Sequence, residues 1–262
     1  MRINLHCHTN YSDGCNMLAM AKEHKAQGFS AFVVTDHVYP AMLSSFKDKG
    51  NARSLTSYAE FEKQTEELEK LSKELDMPCI QGIELALYRE EVLVFGQEAC
   101  RDIFEYIAQI DLKEQEKYGS SKSYKRKLTY NLIEILKKNK ENSAYILCHP
   151  HLDGTPKWVL KPLYPLLDGF EFQNYGTYYF SDKTNVGCPR RLKRKIPREL
   201  QGKNKFYNSD AHTPMSVGKS EGNYHTQKIE NLSDLIKYIK TPQNTQLLNQ
   251  KAILSKSQEL IF

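Results

Sequence analysis

The chain has 262 residues, of which 40% are hydrophobic and 26% are charged, and its net charge at pH 7 is +5. These values are ordinary for a globular domain, and the sequence shows no low-complexity tract and no internal repeat. No apolar run approaches the ~20 residues that span a bilayer, and the first residues resemble a strand rather than a signal peptide. We therefore expect a cytoplasmic protein without a membrane partner. The six cysteines form no CxxC pair, which argues against a secreted disulfide scaffold.

The first motif is a pair of histidines at the start of the chain. The alternating run at 1–5 predicts a strand, and His6-Cys7-His8 follows it. Because side chains alternate along a strand, His6 and His8 share one face and Cys7 lies on the other. Paired imidazoles are typical ligands of zinc, manganese or iron, although two surface histidines would give the same pattern. Asp13 follows in a Ser-Asp-Gly turn that would bring its carboxylate toward the same ion.

The rest of the chain alternates between helix-like and strand-like segments. The first helix is predicted over 17–27, before Gly28, which is a natural C-cap. Later helices are predicted over 56–75, 98–111, 128–139, 160–167 and 233–239. Short apolar runs predict strands buried on both faces, as in parallel sheets, at 31–34, 79–87, 92–95, 144–148, 169–174 and 205–208, with a last strand-like run at 224–229. A single domain is expected over 1–262, with a loop at 38–54 and basic insertions near 113–128 and 176–204, the first containing a loop at 117–127.

Metal-capable side chains recur at the ends of five predicted strands, at His6 with His8, His37, Glu84, His149, and Asp210 with His212. An α/β barrel collects its strand ends on one face, so these side chains would meet there. A carboxylate inside an apolar run, such as Glu84 or Glu171, needs a cation or a hydrogen-bond partner. Asp36 either orients a histidine ligand or caps a helix. Isolated histidines, His24 and His225, fit ordinary core or surface positions.

Together, the motifs HCHTNYSDG, TDH, GIE, CHP and NSDAH resemble the polymerase and histidinol phosphatase (PHP) family, from residue 2 to about residue 220. They look most similar to its stand-alone phosphoesterase branch. The resemblance implies a distorted (β/α)7 TIM-like barrel that binds two to three divalent ions of zinc, manganese or iron. It implies a first ion held by His6, His8, Glu84 and Asp210, a second held by Glu84 and His149, and a third held by Asp13, His37 and His212. The last three residues would also help the leaving oxygen depart.

The sequence departs from the family pattern at the second ion. Family members usually have a further histidine there, but no histidine lies between Glu84 and His149. Glu91 is one candidate for that position, and a carboxylate would favour manganese or iron. His151 is the other candidate, and the third interpretation is a weak or empty second site.

The resemblance implies a hydrolase that cleaves a phosphoester in a small phosphorylated metabolite or nucleotide, through a hydroxide bound to metal. Arg190, Arg191 and Arg194 are candidates for binding a second phosphate or a nucleic-acid backbone, although such a basic run also fits an exposed face. Two alternatives stay open: a nuclease acting on oligonucleotides, and a degenerate metal-binding partner module without activity. The sequence indicates neither the substrate nor the oligomeric state.

Overall fold

The structure is a computed structural model that describes residues 1–42, 54–119, 121–149, 156–174, 198–219 and 222–242. It is a mixed α/β fold. Its strands are β1 Arg2–Ile3, β2 Phe32–Val38, β3 Cys79–Ala86, β4 Glu91–Phe95, β5 Ala144–Leu147, β6 Gly169–Asn174, β7 Asn204–Asn208 and β8 Asn223–Tyr224. Its α-helices are α1 Met17–Ala26, α2 Tyr58–Leu75, α3 Gln97–Ala108, α4 Leu112–Tyr118, α5 Lys122–Lys138, α6 Lys157–Leu163, α7 Pro214–Val217 and α8 Leu232–Lys240. Short 3-10 helices lie at Pro40–Met42, Tyr164–Leu166 and Arg198–Leu200.

Six strands form one sheet in the order β2-β3-β4-β5-β6-β7. The pairs β2–β3, β5–β6 and β6–β7 are parallel, whereas β4 is antiparallel to both of its neighbours. A tight hairpin is enough to join antiparallel strands, so β4 needs no crossover helix after β3. As a result, the first residue of β4, Glu91, pairs with the last residue of β3, Ala86. Glu91 therefore lies at the sheet edge where the parallel strands present their last residues.

The N-terminal segment lies between the two ends of this sheet. Single parallel bridges join Asn4 to Phe32 of β2 and Cys7 to Ala211 after β7. The amide of His8 donates a hydrogen bond of 2.9 Å to the carbonyl of Ala211. The sheet therefore curls toward itself, and the segment delivers its histidines to the same edge as the ends of β2 and β7. The first strand pair, β1 with β8, forms a separate two-stranded sheet.

The core occupies both faces of the sheet. On β4, Val92 and Val94 pack with residues of α3 and α5, whereas Leu93 and Phe95 pack on the opposite face. Helix α8 contributes Leu235 and the neighbouring buried residues to that second cluster. Burial of a leucine or valine side chain contributes about 1.5–3 kcal/mol each. This two-sided burial explains why the strands are continuous apolar runs, as the sequence predicts.

Most of the predicted helices and strands are present with small shifts of their ends. Helix α1 ends at Ala26, and Gly28 has a φ of 75°, the left-handed conformation of a glycine that follows a helix. The 3-10 helix Pro40–Met42 lies in the predicted loop at 38–54, of which residues 43–53 are outside the described part. Among the described helices, none is long and apolar enough to cross a membrane.

The predicted loop at 117–127 is wrong, because helices α4 and α5 cover most of it. The side chain of Ser121 caps α5 by accepting a hydrogen bond of 3.1 Å from the amide of Tyr124. The first turns of α5 are polar and basic, so apolar periodicity begins only at Leu128 and the helix start is hidden in the sequence. The late strand is also shorter than predicted and comprises only Asn223–Tyr224. Of the insertion near 176–204, residues 176–197 lie outside the described part.

Candidate metal centre

The nine predicted ligands lie at one edge of the curled sheet, and they are His6, His8, Asp13, His37, Glu84, Glu91, His149, Asp210 and His212. Parallel strands deliver most of them at or just after their last residues, and antiparallel β4 delivers Glu91 at its first. Most are buried, but the side chain of Asp13 is 40% exposed. The centre therefore opens toward solvent on the side of Asp13.

An inner group consists of His6, His8, Glu84 and Asp210. The Nε2 atoms of His6 and His8 lie 3.0 Å apart. They lie 3.2 and 3.3 Å from Oε2 of Glu84, and 3.4 and 3.0 Å from Oδ1 of Asp210. A tetrahedral zinc ion with bonds of ~2.1 Å requires ligand atoms separated by about 3.4 Å. The spacing of this inner group therefore suits a single divalent cation.

A second group lies around the other oxygen of Glu84. The Nε2 atom of His149 is 3.0 Å from Oε1 of Glu84 and 3.3 Å from Oε2 of Glu91. The two oxygens of Glu84 thus face two different groups of ligands, as a bridging carboxylate would require. Glu91, one of the two candidates for the position of the missing histidine, lies beside His149. The other candidate for that position, His151, lies outside the described residues.

The outer group surrounds the exposed carboxylate. Oδ1 of Asp13 is 3.4 Å from Nε2 of His37 and 3.2 Å from Nε2 of His212. The ring of His8 is stacked on both rings, with centroid distances of 4.1 Å to His37 and 4.3 Å to His212. The ligand atoms of these four residues all lie within 4.8 Å of one another. This group therefore adjoins the inner group through His8.

Glu171 supports the inner group, although the sequence assigned it no role at the site. Its Oε1 lies 2.8 Å from Nδ1 of His6, and its Oε2 accepts a hydrogen bond of 2.8 Å from the amide of His149. The side chains of Asn174 and Asn208 also donate to it. A carboxylate on Nδ1 fixes the ring so that Nε2 faces the other ligands. The signal in the sequence was a carboxylate inside the apolar run of β6.

Two further residues, one in β2 and one just after it, support the metal centre. The carboxylate of Asp36 accepts hydrogen bonds from the amide of Thr9, at 2.7 Å, and from the hydroxyl of Ser12. It therefore orders the loop that carries the outer aspartate, and it lies near His8 rather than capping a helix. The hydroxyl of Tyr39 is 2.9 Å from Nδ1 of His37. No sequence motif indicated this tyrosine.

The family model of the PHP domain matches residues 4–181. This chain belongs to the PHP domain family. Among solved structures, it is similar to a protein from Bifidobacterium adolescentis that carries a provisional name as a metal-dependent phosphoesterase, with 14% identity and a TM-score of 0.43. That similarity covers 91% of this chain and 96% of the other. No curated protein matches the chain.

The inner histidines of this PHP domain differ in their affinity for protons. Burial opposes protonation of His6, but Glu84 and Asp210 hold the pKa of His6 well above its ordinary value. Burial and the neighbouring His37 lower the pKa of His8 to about 4. Because the two Nε2 atoms are 3.0 Å apart, both rings cannot be protonated together. Burial also opposes ionisation of Glu84, but His6 and His37 hold its pKa well below the ordinary range.

The charge balance of the PHP centre indicates cation binding. Among the described residues, the ion-pair partners of its carboxylates Asp13, Glu84, Glu91 and Asp210 are all histidines. Burial and the nearby Glu84 raise the pKa of Glu91, which reflects the crowding of negative charge. Without a metal ion, the positive charge opposite these carboxylates comes from protonated histidines such as His6 and His37, whose pKa values are raised. A divalent cation would replace those protons, because histidine binds a metal in its neutral form. Imidazole and carboxylate together are donors that divalent zinc, manganese and iron accept, so the residues present fit such ions.

Two cysteines lie near the PHP centre, and neither was among the ligands predicted from the sequence. Cys7 is on the opposite strand face from His6, as predicted, and its thiol lies 3.7 Å from the carbonyl of His8. The sulfur of Cys148 is near His6 and Glu84. Burial first, and then the carboxylates around it, raise the pKa of Cys148 well above its ordinary value, so without a metal ion it is a thiol. The candidate phosphate ligands Arg190, Arg191 and Arg194 lie outside the described residues.

Proposed function

We propose that this PHP domain is a metal-dependent phosphoesterase that hydrolyses a small phosphorylated metabolite or nucleotide. The observation that supports this function is the meeting of five imidazoles and four carboxylates at one sheet edge, with ligand atoms 2.7–3.4 Å apart. A set of this size exceeds what one ion needs. It suits a centre of two or three ions, and centres with two metal ions occur in phosphatases and nucleases.

The ligands divide among three sites. We assign the first ion to His6, His8, Glu84 and Asp210, the second to Glu84, Glu91 and His149, and the third to Asp13, His37 and His212. Bound divalent ions would activate water near neutral pH and neutralise the negative charge of a phosphoester. Glu91 adds an anionic oxygen where the family has a neutral nitrogen, so we expect manganese or iron(II) to support activity at least as well as zinc.

The outer group is assigned to the leaving oxygen. Asp13 is exposed, so a phosphoester would approach the centre past it. Burial opposes protonation of His212, but Asp13 and Asp210 raise its pKa above the ordinary value. This shift favours the protonated ring, which would donate its proton to the leaving oxygen when only two ions are bound. His37 would orient Asp13 for this step.

The proposal also includes a specific type of barrel fold. We infer a distorted (β/α)7 barrel, supported by the bridges of the N-terminal segment to Phe32 on one side and Ala211 on the other. The cytoplasmic location and the role of Arg190, Arg191 and Arg194 in binding phosphate or nucleic acid also stay predictions.

Elemental analysis of the purified chain, followed by a phosphoester panel with manganese, iron and zinc added back, tests the function. We expect two or three ions per chain and hydrolysis of small phosphoesters. His8→Ala should lose metal and activity, whereas His225→Gln, a change at a buried histidine outside the centre, should keep both. One ion or none, with no hydrolysis, would instead indicate a binding module. Preference for oligonucleotides, lost at high salt, would indicate a nuclease.

A further inference from the structure

A cavity of about 400 Å³ lies beside the metal centre, next to the hairpin that joins β3 to β4. Tyr39, which lines it, places its hydroxyl 2.9 Å from Nδ1 of His37. Ala86, which also lines it, pairs directly with Glu91. The cavity, which we name the hairpin pocket, therefore adjoins both His37 of the outer group and Glu91 of the second group. Its volume falls within the range of small-molecule sites.

The wall of the hairpin pocket is apolar. Leu128 and Leu132 of α5 and Leu87 of the hairpin form much of it, and the first two are almost fully buried. Two aromatic side chains, Tyr39 and Tyr88, complete this surface. A ring or another compact apolar group would bury its surface there at ~25 cal/mol per Å². The pocket thus suits the organic part of a ligand rather than a phosphate.

The rim of the pocket is cationic. Arg89 and Lys125 line it, and the described lining residues include no aspartate or glutamate. Arg89 comes from the hairpin and Lys125 from α5, so two separate elements bring positive charge to one opening. An anionic group on the organic part of a ligand would accept hydrogen bonds from both.

The backbone at Arg89 supports a role for its side chain. Its φ is 62°, in the left-handed region, which disfavours residues other than glycine by about 1–2 kcal/mol. The hairpin is closed by a hydrogen bond of 2.8 Å from the amide of Leu87 to the carbonyl of Glu90. Glycine is the residue that this backbone favours. An arginine at this position points to a function for its guanidinium at the rim.

We propose that the hairpin pocket binds the leaving-group part of the substrate, and that this part is an aromatic group carrying a second anion, which Arg89 and Lys125 bind. This inference rests on the proposed phosphoesterase function and names its substrate class. The phosphate would lie at the metal centre and the aromatic group against the leucines and tyrosines. The second anion would reach the rim.

Kinetics with a matched substrate pair test the rim. 4-Carboxyphenyl phosphate carries the second anion, and 4-carbamoylphenyl phosphate replaces it with a neutral group of similar shape. We expect kcat/KM to favour the carboxylate by about tenfold in the wild type, as one charged hydrogen bond gives. Arg89→Gly and Lys125→Met should each remove most of that preference through KM. A second pair of biphenyl phosphates, again one with a carboxylate and one with a carbamoyl group, is tested in parallel. It serves for a longer distance between the metal centre and the rim.

Two control variants match these changes. Asp76→Gly relieves another left-handed backbone position, at the end of α2, and Lys127→Met removes an exposed charge of α5 outside the pocket. Both should keep the wild-type preference. Arg89→Gly suits its own backbone, so its fold should be intact. If Arg89→Gly and Lys125→Met keep the wild-type preference with both substrate pairs, the pocket proposal is wrong while the phosphoesterase function stands.

A binding experiment separates the pocket from the chemistry. Trp158 is the single tryptophan of the chain, and its ring stacks on Tyr88 at a centroid distance of 5.4 Å. Its fluorescence should therefore change saturably when 4-carboxybenzylphosphonate, a non-hydrolysable analogue, is added to the metal-loaded protein. Arg89→Gly should weaken this binding about tenfold, and Ala41→Phe, which fills the pocket, should abolish it.

The outcomes distinguish the two proposals. Binding with this dependence on Arg89 and Ala41, in a protein that hydrolyses no phosphoester, would keep the pocket and overturn the proposed function. Equal affinity in the wild type and both variants would overturn the pocket.

Discussion

Oε1 of Glu171 lies 2.8 Å from Nδ1 of His6, whereas the other ligands approach the second ring nitrogen, Nε2. The same carboxylate accepts the amide hydrogen of His149 at 2.8 Å. One buried side chain of β6 therefore positions histidines from both the first and the second assigned ion sites. Glu171 is not among the residues assigned to either ion, so its effect should appear in metal affinity before it appears in the chemical step.

Glu171→Gln keeps the shape of this side chain but removes its charge and one acceptor. We expect the affinity for the first ion to fall about 10–100-fold. Competition with a chromophoric chelator measures this affinity directly. Glu69→Gln, at an exposed carboxylate of α2, is the matched control. Unchanged affinity in Glu171→Gln would show that hydrogen bonds alone, without charge, orient His6.

Glu84→Gln tests the bridging position. The two oxygens of Glu84 face different histidines, so the change should remove more than one ion's worth of metal per chain. Elemental analysis gives the metal content, and circular dichroism checks that the sheet is folded. Glu98→Gln, an exposed change in α3, should keep the full complement. A Glu84→Gln protein with normal metal content and normal hydrolysis would reduce Glu84 to a structural residue.

Glu91→His would place at the second site the neutral ligand that the family pattern contains. An anionic ligand makes metal-bound water less acidic. Removing it should lower the pH at which activity rises, by roughly one unit. Zinc should bind more tightly at this site relative to manganese. The measurements are the pH profile of kcat/KM and the metal preference. A variant that matches the wild type in both would exclude Glu91 as a ligand.

His24 links stability to pH away from the metal centre. Burial lowers the pKa of His24 to about 4, and its Nδ1 lies 2.8 Å from the carbonyl of Met20. The unfolded pKa is about 6.5, so the native state prefers the neutral ring. The resulting stability is fully present above pH 6.5 and is lost as the pH falls toward 4. Between pH 7 and pH 5, this loss is about 2 kcal/mol.

Denaturant unfolding of the metal-free protein at pH 7 and pH 5 measures that loss. His24→Gln has no titrating ring, so its stability should fall about 2 kcal/mol less than that of the wild type over this range. A Lys228→Met variant, changed at an exposed side chain, should behave as the wild type does. If His24→Gln and the wild type lose the same stability between pH 7 and pH 5, His24 is not the source of this pH dependence.

The sequence was sufficient to predict which residues would meet at the sheet edge. Alternation along a strand places His6 and His8 on one face, and buried apolar runs locate the strands that end at His37 and His149. These features are local, so they could be recognised before any tertiary contact was known. The predicted helix and strand order is confirmed for the same reason.

Features that depend on pairing between distant segments could not be predicted. The antiparallel direction of β4 is set by its neighbours, and it alone explains why Glu91, at a strand start, joins residues at strand ends. The role of Glu171 depends on contact with His6, 165 residues away. The start of α5 was missed because its basic first turns carry no apolar signal. The hairpin pocket arises only where the β3–β4 hairpin meets α5.

The position of the N-terminal segment has a consequence for the order of folding. The β3–β4 hairpin and its pairing with β5 are close in sequence, whereas the amide of Leu5 bonds to the side chain of Asn208 across 203 residues. Contacts between distant segments form late, because the entropic cost of closing a long loop is smaller once local structure has formed. We expect Glu84, Glu91 and His149 to assemble while His6 and His8 are still unattached. Metal added during refolding would then bind in two kinetic phases. The rate of the slower phase would be the rate at which the first residues of the chain join the sheet.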